Sequence, residues 1–329
     1  MPIEAGVLEG PVFVVGMNGS GTTMLSDSLG RHPDLFMFPR ETYVLPHLLR
    51  HGERFGDLYD AGNLQAFIRH IGQQAAYWRA NGRRRLQVRE LDIASTTVPG
   101  VIDAVYRHFA ARKGKRRWGD KTPMYVQHIP ILAAAFPAAK FVHLYRDGRD
   151  VAQSLHRRWG LEPRLSIYRW RETMSLVGTG QAVAEGRCLE LSYESLTAAP
   201  EENLQALCRF LGLPFFSGLL SSSMPHMGAD KAPKQGRIVR NSGKWKSYFG
   251  KDTIVAMEAI AGEALLLRGY AVAHYAGSAT PSALLRARWY SHDKVLRLAD
   301  LFLGPSRRSY LLRMKRLAAA VKHARSNRY

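Results

Sequence analysis

The chain of 329 residues contains only two cysteines, Cys188 and Cys208, too few for a disulfide framework and in keeping with a reducing compartment. It has no apolar run long enough to span a bilayer, because the stretch 131–139 is short and is interrupted by Pro137. The first nine residues lack the basic region and the apolar core of a secretion signal. These absences lead us to expect a cytoplasmic protein.

Acidic residues are scarce as well: 27 Asp and Glu stand against 47 Lys and Arg, a formal net charge of +20. Such a surface attracts polyanions, for example anionic lipid, acidic glycan or phosphorylated small molecules. No nucleic-acid reader motif is recognisable, so no nucleic-acid partner is expected.

Basic residues are concentrated at the end of the chain. Residues 281–329 hold twelve Lys and Arg against Asp293 and Asp300, with apolar residues at helical spacing. We therefore predict a domain over residues 1–277 and a basic amphipathic helical tail over 278–329. Either the apolar stripe of the tail packs on the domain, or the tail attaches the protein to anionic lipid at the inner membrane face.

The pattern of apolar residues predicts an α/β fold. Apolar runs predict strands near 12–16, 35–38, 140–145 and 187–192. Helical patterns cover 22–31, 41–50, 63–80, 98–113, 130–136, 147–158, 201–211 and 252–267. Strands that alternate with helices favour a P-loop-like parallel sheet flanked by helices, which binds anions at the carboxyl ends of its strands.

A glycine loop follows the first predicted strand. Residues 12–23 read Val-Phe-Val-Val-Gly-Met-Asn-Gly-Ser-Gly-Thr-Thr, which places Gly16 and Gly21 as in the P-loop G-x-x-x-x-G-K-[ST]. Such a loop turns its backbone N–H groups toward an anion at a helix start. Thr22 stands where the P-loop lysine would bridge terminal phosphates. The loop is therefore predicted to hold an anion other than a triphosphate.

The segment from Arg146 to Ser154 is the second candidate for anion binding. Arg146 ends a predicted strand, where a guanidinium offers paired donors to a phosphate, and Ser154 adds a neutral hydrogen bond. The alternative is a capped helix in which Asp147 or Asp150 pairs with Arg149.

Two further residues suit group transfer. Lys121 follows Asp120 in the predicted loop Trp-Gly-Asp-Lys-Thr-Pro, where the two form either a solvated pair or a site that stabilises a bridging oxygen. Glu41 precedes a predicted helix and is either a favourable first-turn carboxylate or a general base for an acceptor hydroxyl.

The order of these motifs resembles the sulfotransferases that use 3′-phosphoadenosine 5′-phosphosulfate (PAPS), above all the branch with the protein-tyrosine and glycan sulfotransferases. The resemblance covers residues 11–270. The matching motifs are Ser-Gly-Thr-Thr at 20–23, His-Pro at 32–33, Glu-Thr at 41–42, Asp-Lys-Thr-Pro at 120–123, Arg-Asp-Gly-Arg-x-x-x-x-Ser at 146–154, Leu-Ser-Tyr-Glu-Ser-Leu at 191–196, Phe-Leu-Gly-Leu-Pro at 210–214 and Gly-Lys-Trp at 243–245.

The resemblance implies a donor site and a chemical role for each matching residue. The residues implied to hold the 5′-phosphosulfate are Asn18, Gly19, Ser20, Gly21, Thr22 and Thr23. Arg146 and Ser154 would bind the 3′-phosphate, Tyr193 would contact the adenine side, and Lys244 would close over the 3′-phosphate. The product would be adenosine 3′,5′-bisphosphate (PAP).

The resemblance further implies that Lys121 stabilises the bridging oxygen and that Glu41 takes the proton of the acceptor. The chain departs from the family at Gly19, where many relatives carry Arg or Lys. Lys121, the loop amides or a residue within 231–240 would have to compensate. No metal is expected, because a sulfuryl group carries less charge than a phosphoryl group.

The acceptor is expected to be a hydroxyl of a glycan or glycolipid, because the surface is basic; a tyrosyl peptide or a small metabolite is the alternative. Acceptor choice is assigned to the segments 63–89, 161–180 and 221–242. One rival interpretation is a P-loop kinase or NTPase, against which Thr22 argues. The other is a non-enzymatic polyanion-binding protein. A nicotinamide enzyme fits less well, because the glycines run G-x-x-G-x-G.

Overall fold

The computed structural model describes residues 10–177, 182, 185–221, 238, 240–274, 277 and 279–294. The chain divides into two compact units. The first contains residues 1–146 and 173–242, and the second contains residues 147–172 and 243–329.

A parallel sheet of five strands organises the first unit. The strands are β1 (Val12–Gly16), β2 (Leu35–Met37), β3 (Arg117–Lys121), β4 (Lys140–Tyr145) and β5 (Cys188–Ser192), in the spatial order β2-β3-β1-β4-β5. In the register of β1, Val12 lies opposite Gly119 of β3 and Lys140 of β4. The predicted parallel sheet is thereby confirmed.

The helices are α1 (Thr22–Leu29), α2 (Leu45–His51), α3 (Ala61–Gln73), α4 (Ala75–Ala80), α5 (Val98–Ala111), α6 (Ile129–Ala135), α7 (Gly148–Trp159), α8 (Pro163–Val177), α9 (Tyr193–Ala198), α10 (Pro200–Leu211), α11 (Trp245–Tyr248) and α12 (Lys251–Leu267). Short 3-10 turns lie at Gly52–Phe55, Val88–Glu90, Pro123–His128 and Ser217–Leu220.

Both faces of the sheet in the first unit are covered by helices. Phe13 and Val15 point into a cluster with α2, α3, α5 and α6. Val12 and Val14, on the opposite face of the same strand, pack with α1, α9 and α10. An apolar strand that is buried on both faces is typical of parallel sheets, and it explains why β1 is apolar without alternation.

The prediction of a loop at residues 118–123 was wrong for its first part, because residues 117–121 form the strand β3 and all five are buried. Trp118 drives the burial: its ring lies edge-on to Phe13 at 5.7 Å between centroids and stacks on Tyr106 at 4.1 Å. The charged residues of this strand masked its pattern in the sequence. Trp118 is therefore a core residue.

Two helical boundaries also differ from the prediction. The predicted helix 63–80 is divided at Gln74, whose ψ of 136° is extended. The helix predicted from Glu41 begins only at Leu45, so Glu41 is not a first-turn carboxylate. Helix α8 was not predicted, because its apolar residues alternate with arginines without a clear stripe.

In the second unit, Asp147 caps α7 by accepting a hydrogen bond from the backbone N–H of Arg149 at 2.9 Å. Residues 283–294, the first part of the predicted tail, are helical. Trp289 and Asp293 of this stretch are buried, and Asp293 accepts the N–H of Glu162 at 3.0 Å. Residues 295–329 lie outside the described part of the chain. Among the helices that the structure describes, none combines the length and the hydropathy that a membrane crossing needs.

Candidate functional site

The glycine loop joins β1 to α1 at the carboxyl edge of the sheet. The loop is closed on itself, because the backbone N–H and the hydroxyl of Ser20 both donate to the carbonyl of Met17, at 3.1 and 2.8 Å. Gly21 has a φ of 101°, and a Cβ there would lie 2.6 Å from the Tyr193 ring. Within the described residues no side chain caps α1, so its first N–H groups face the loop, where an anion would satisfy them.

Glu41 and Lys121 meet beside this loop. The Lys121 ammonium lies 2.5 Å from Glu41 Oε1 and donates to the Thr23 hydroxyl at 3.3 Å. The Lys121 side chain is 10% exposed and that of Glu41 25%, so the pair is partly withdrawn from water but open to a substrate. The two residues predicted to do the chemistry are thus in contact, and Lys121 also contacts Thr23, a predicted ligand of the donor.

Tyr43 is a third member of this group, and no sequence pattern singled it out. Its hydroxyl donates to Glu41 Oε2, the oxygen that does not contact Lys121. The backbone of Tyr43 has a φ of 56°, an unusual conformation for a non-glycine residue. The side chain is 53% exposed.

A fully buried carboxylate lies beneath the pair. Asp120 Oδ2 accepts from the Tyr106 hydroxyl at 2.7 Å and from the Thr42 hydroxyl at 3.0 Å. Its Oδ1 accepts from the Thr122 hydroxyl at 2.7 Å. The backbone N–H of Thr42 donates to Thr122 Oγ1 at 3.0 Å, which ties the two threonines together. Asp120 is not the solvated partner of Lys121 that one interpretation of the sequence predicted.

These bonds fix the backbone on both sides of the candidate site, since Thr42 follows Glu41 and Thr122 follows Lys121. Burial raises the pKa of Asp120 to about 6, although the hydroxyl hydrogen bonds and the Lys121 charge oppose the shift. Thr42 and Thr122 could be found from sequence only as neighbours of the two candidate residues. Tyr106, which comes from α5, gives no such signal.

Arg146, Gly19 and Tyr193, all predicted ligands of the donor, come together in the first unit. The Arg146 guanidinium donates to the Gly19 carbonyl at 3.2 Å and to the Asn241 carbonyl. It lies 4.6 Å from the centre of the Tyr193 ring, within the range of a cation–π interaction. A buried positive charge therefore stands beside Gly19, the position at which the chain lacks a basic side chain.

Ser154 and Lys244 belong to the second unit. Asp150 accepts the N–H groups of Gly243 at 2.6 Å and of Trp245 at 3.2 Å, so it holds the backbone on both sides of Lys244. Ser154 lies four residues after Asp150 on α7 and so occupies the same helix face. The segment that carries Lys244 is thus held near the helix face that carries Ser154. The Lys244 side chain is exposed.

The capped-helix alternative is confirmed in part. Two nitrogens of the Arg149 guanidinium bond the two oxygens of Asp147, at 3.0 and 2.8 Å, and a third lies 2.5 Å from Glu258. Burial lowers the pKa of Arg149, but these two carboxylates outweigh burial and the net shift is upward. The guanidinium lies 3.9 Å from the centre of the Trp245 ring. This cluster is a structural element that coexists with the predicted roles of Arg146 and Ser154.

The remaining parts of the predicted site are the segment 221–242 and Asn18. Most of the segment 221–242 lies outside the described residues; Arg240, which is described, donates to the Ser242 hydroxyl at 3.2 Å. Asn18 is half-buried in the glycine loop. In the described part of the chain, no group of three His, Cys, Asp or Glu residues is arranged to hold a metal ion.

Comparison with known proteins gives a consistent result. The model of a family described as "Sulfotransferase family" matches residues 11–217. The chain is 26% identical to protein-tyrosine sulfotransferase 1 of Danio rerio over 220 residues, which cover 64% of this chain and 55% of that protein. Protein-tyrosine sulfotransferase 2 of Gallus gallus is 24% identical over 221 residues, covering 64% of this chain and 53% of its own. The chain spans about half the length of these relatives.

Among solved structures, the sulfotransferase domain from the olefin synthase of Synechococcus PCC 7002 is similar, with a TM-score of 0.51 and 25% identity. The match covers 80% of this chain and 97% of that domain.

Proposed function

Since the chain belongs to the sulfotransferase family, we propose that it transfers a sulfuryl group from PAPS to an acceptor hydroxyl. The observation that carries this proposal is the 2.5 Å contact between Glu41 and Lys121 at the mouth of the glycine loop. A carboxylate that can take a proton and an ammonium that can stabilise a leaving oxygen stand side by side, where loop amides can bind an anion.

The residues of the first unit suit a phosphosulfate donor. The uncapped start of α1 offers N–H groups to an anion, and Thr23 adds a hydroxyl that already contacts Lys121. Thr22, in place of a lysine, leaves the loop without the cation that triphosphate enzymes place there. The Arg146 guanidinium supplies positive charge next to Gly19. Ser154 and Lys244 remain predicted ligands of the 3′-phosphate.

PAPS supplies an activated sulfuryl group whose transfer forms one S–O bond and breaks another. In our proposal Glu41 accepts the proton of the acceptor hydroxyl as that oxygen bonds to sulfur. Lys121 donates to the bridging oxygen, which keeps the electron pair of the broken bond and leaves on the phosphate. The Tyr43 hydroxyl and Lys121 each hold one oxygen of Glu41, so the carboxylate is fixed in orientation before an acceptor arrives.

The acceptor is proposed to be a hydroxyl of a glycan or glycolipid, which suits a chain with a formal charge of +20. A tyrosyl hydroxyl is the second candidate, favoured by the similarity to two protein-tyrosine sulfotransferases. Radiolabelled donor distinguishes them: label is expected in acidic glycans or glycolipids, whereas label in tyrosyl peptides alone would favour the second candidate.

Donor binding is tested by calorimetric titration of the full chain with PAP, without metal and with ADP as the control ligand. We expect PAP to bind and ADP to bind much more weakly, because only PAP carries a 3′-phosphate. Equal affinity, or a preference for ADP with Mg²⁺, would contradict the proposal and favour a nucleotide-triphosphate enzyme. Arg146→Ala should weaken PAP binding.

The chemical step is tested by Glu41→Gln, which should lower the turnover number by about 10²–10⁴ while PAP binds as before, because the variant cannot accept a proton. Glu53→Gln, a change at an exposed residue, is the matched control. Turnover that stays normal in Glu41→Gln would remove Glu41 from this role.

The tail gives a further, separable part of the proposal, in which residues 295–329 attach to anionic lipid. This stretch has nine basic residues against Asp300. A truncation after residue 294 keeps the buried Trp289 and Asp293. It should lose co-sedimentation with vesicles that contain phosphatidylserine, and equal sedimentation before and after truncation would contradict the attachment.

A further inference from the structure

A basic pocket lies in the first unit, away from the glycine loop. Its volume is roughly 600 Å³. Its lining includes Asn81, Arg84, Arg85, Glu90, His108 and Arg112. His108 lies in the last turn of α5 and Arg112 follows that helix, five residues before β3 begins. The pocket therefore belongs to the amino edge of the sheet, whereas Lys121 ends β3 at the opposite edge, about 13 Å further along the strand.

The charges of the pocket are unbalanced, with three arginines against the single carboxylate of Glu90. The guanidinium groups of Arg84 and Arg85 form no ion pair or hydrogen bond with any residue that the structure describes. Arg112 is held in place, because it donates to Asn81 Oδ1 at 2.7 Å. Arginines that line one pocket without matching carboxylates are suited to a ligand with several acceptor oxygens.

The turn that presents two of these arginines is built into the backbone. Gly82 and Arg83 both have positive φ angles, 64° and 62°. The side chain of Asn81 donates to the carbonyl of Arg84 at 3.1 Å and closes the turn. Non-glycine residues rarely adopt a positive φ, and they keep it only where the surrounding structure stabilises that conformation. The backbone turn that precedes Arg84 and Arg85 is therefore already formed before any ligand binds.

His108 adds an independent observation. Its Nδ1 lies 2.9 Å from the Glu90 carbonyl oxygen, which can only accept, so Nδ1 carries the proton. The other ring nitrogen, Nε2, is buried and has no hydrogen-bond partner among the described residues. Buried polar atoms without partners are rare and costly in proteins, and a bound ligand is one way to satisfy them.

We propose that this pocket is a second anion site, which binds a tetrahedral oxyanion, a phosphate or a sulfate group, through Arg84, Arg85 and Arg112. A dianion would compensate the net positive charge of the pocket. Because Nε2 without a proton can only accept, a hydrogen phosphate dianion could also donate to it, whereas sulfate has no hydrogen to donate. The site stands on these contacts alone and does not depend on the proposed sulfuryl transfer.

The test is calorimetric titration of the full chain, in chloride buffer, with inorganic phosphate and, in a parallel series, with inorganic sulfate. The variant is Arg84→Ala with Arg85→Ala. The control is Arg79→Ala with Arg89→Ala, which removes the same charge from exposed arginines that do not line the pocket. Any anion bound by the glycine loop contributes equally to both variants, so their difference reports the pocket.

We expect the pocket variant to bind phosphate, sulfate or both at least about tenfold more weakly, and the control variant to bind nearly as the parent does. The ring signal of His108, assigned by its loss in His108→Gln, should shift during the same titration. An equal loss in both variants would mean diffuse attraction by the surface charge, and no loss in the pocket variant would mean that the anion binds elsewhere. Either result overturns the proposal.

Discussion

Asp120 in the first unit and Arg149 in the second are both almost fully buried, yet their partners differ in kind. Asp120 is surrounded by neutral hydroxyls, from Tyr106, Thr42 and Thr122. Arg149 is bonded by two carboxylates, Asp147 and Glu258. Hydroxyls satisfy the hydrogen bonds of a carboxylate but bring no opposite charge, so burial still raises the pKa of Asp120 to about 6. The carboxylates around Arg149 instead raise its pKa.

The difference suits what each cluster holds. Hydroxyl hydrogens rotate and share bonds, so the network around Asp120 can join two backbone segments without adding charge near Lys121. The ionic cluster fixes the start of α7 and packs against Trp245, the residue that follows Lys244. The four predictions that follow test this contrast, from the largest expected effect to the smallest.

The ionic cluster should be the more sensitive to loss of one partner. Arg149→Met leaves two buried carboxylates without their cation, and we expect it to lower the free energy of unfolding by about 3–5 kcal/mol. Urea denaturation measures the change. Arg164→Met is the control, because the Arg164 side chain is 47% exposed where it pairs with Glu162, and this change should cost less than about 1 kcal/mol. Similar losses for the two variants would refute the contrast.

The hydroxyl network should instead make the stability of the protein depend on pH. The pKa of Asp120 is about 6 in the folded chain against an ordinary 3.8, so the folded state binds this proton more tightly. Its contribution to stability is fully present below about 3.8 and is lost as the pH rises through about 6. A difference of about two pH units corresponds to about 3 kcal/mol.

The measurement is the free energy of unfolding at several pH values between roughly 4 and 8. This range covers the titration of Asp120, whose pKa in the folded chain is about 6. Asp120→Asn should remove this part of the pH dependence, whereas Asp57→Asn, at an exposed residue, should keep it. An unchanged pH dependence in Asp120→Asn would mean that other groups cause it.

Thr42 joins the network to the segment that carries Glu41. Thr42→Val removes the hydroxyl that bonds Asp120 at 3.0 Å and Tyr125 at 2.6 Å, and should cost about 1–3 kcal/mol of stability. It should also lower turnover, because Glu41 is no longer held in position. Thr42→Ser keeps the hydroxyl and should restore both. Turnover lost equally in Thr42→Ser would argue against the hydroxyl as the cause.

The outermost hydroxyl should matter least. Tyr77 donates to the Tyr106 hydroxyl at 2.9 Å, and Tyr106 in turn donates to Asp120. Tyr77→Phe should cost about 0.5–1.5 kcal/mol. Tyr59→Phe, at a side chain that is 84% exposed, should leave the melting temperature unchanged. A loss for Tyr77→Phe as large as that for Thr42→Val would mean that the network acts as one unit.

Local patterns account for what could be predicted from the sequence. Each of these signals lies within a few consecutive residues: the apolar runs of β1 and β4, and the glycines after β1. The strands, the loop and the start of α1 could therefore be predicted from short stretches of sequence. Glu41 and Lys121 were expected to share a site only through the family resemblance. Their contact across 80 residues confirms that they are neighbours, while their roles remain predictions.

What failed in the prediction depends on distant partners. β3 carries Arg117, Asp120 and Lys121, which look solvated until their partners are known. The Arg117 guanidinium, for example, bonds the carbonyls of Gly10 and Leu211, and Leu211 is 94 residues away. No pattern within the strand could reveal that its charged side chains have hydrogen-bond partners so far along the chain.

The strand order has a consequence for how the molecule folds. β3 lies between β2 and β1 in the sheet, although both precede it in the chain. β3, which is synthesised last of the three, must therefore pair with both earlier strands by inserting between them. Contacts of this kind carry a large loop-closure entropy and slow the folding of parallel sheets. Until β3 is inserted, Lys121 has not reached Glu41, and the site does not exist in any partly folded form that lacks this strand.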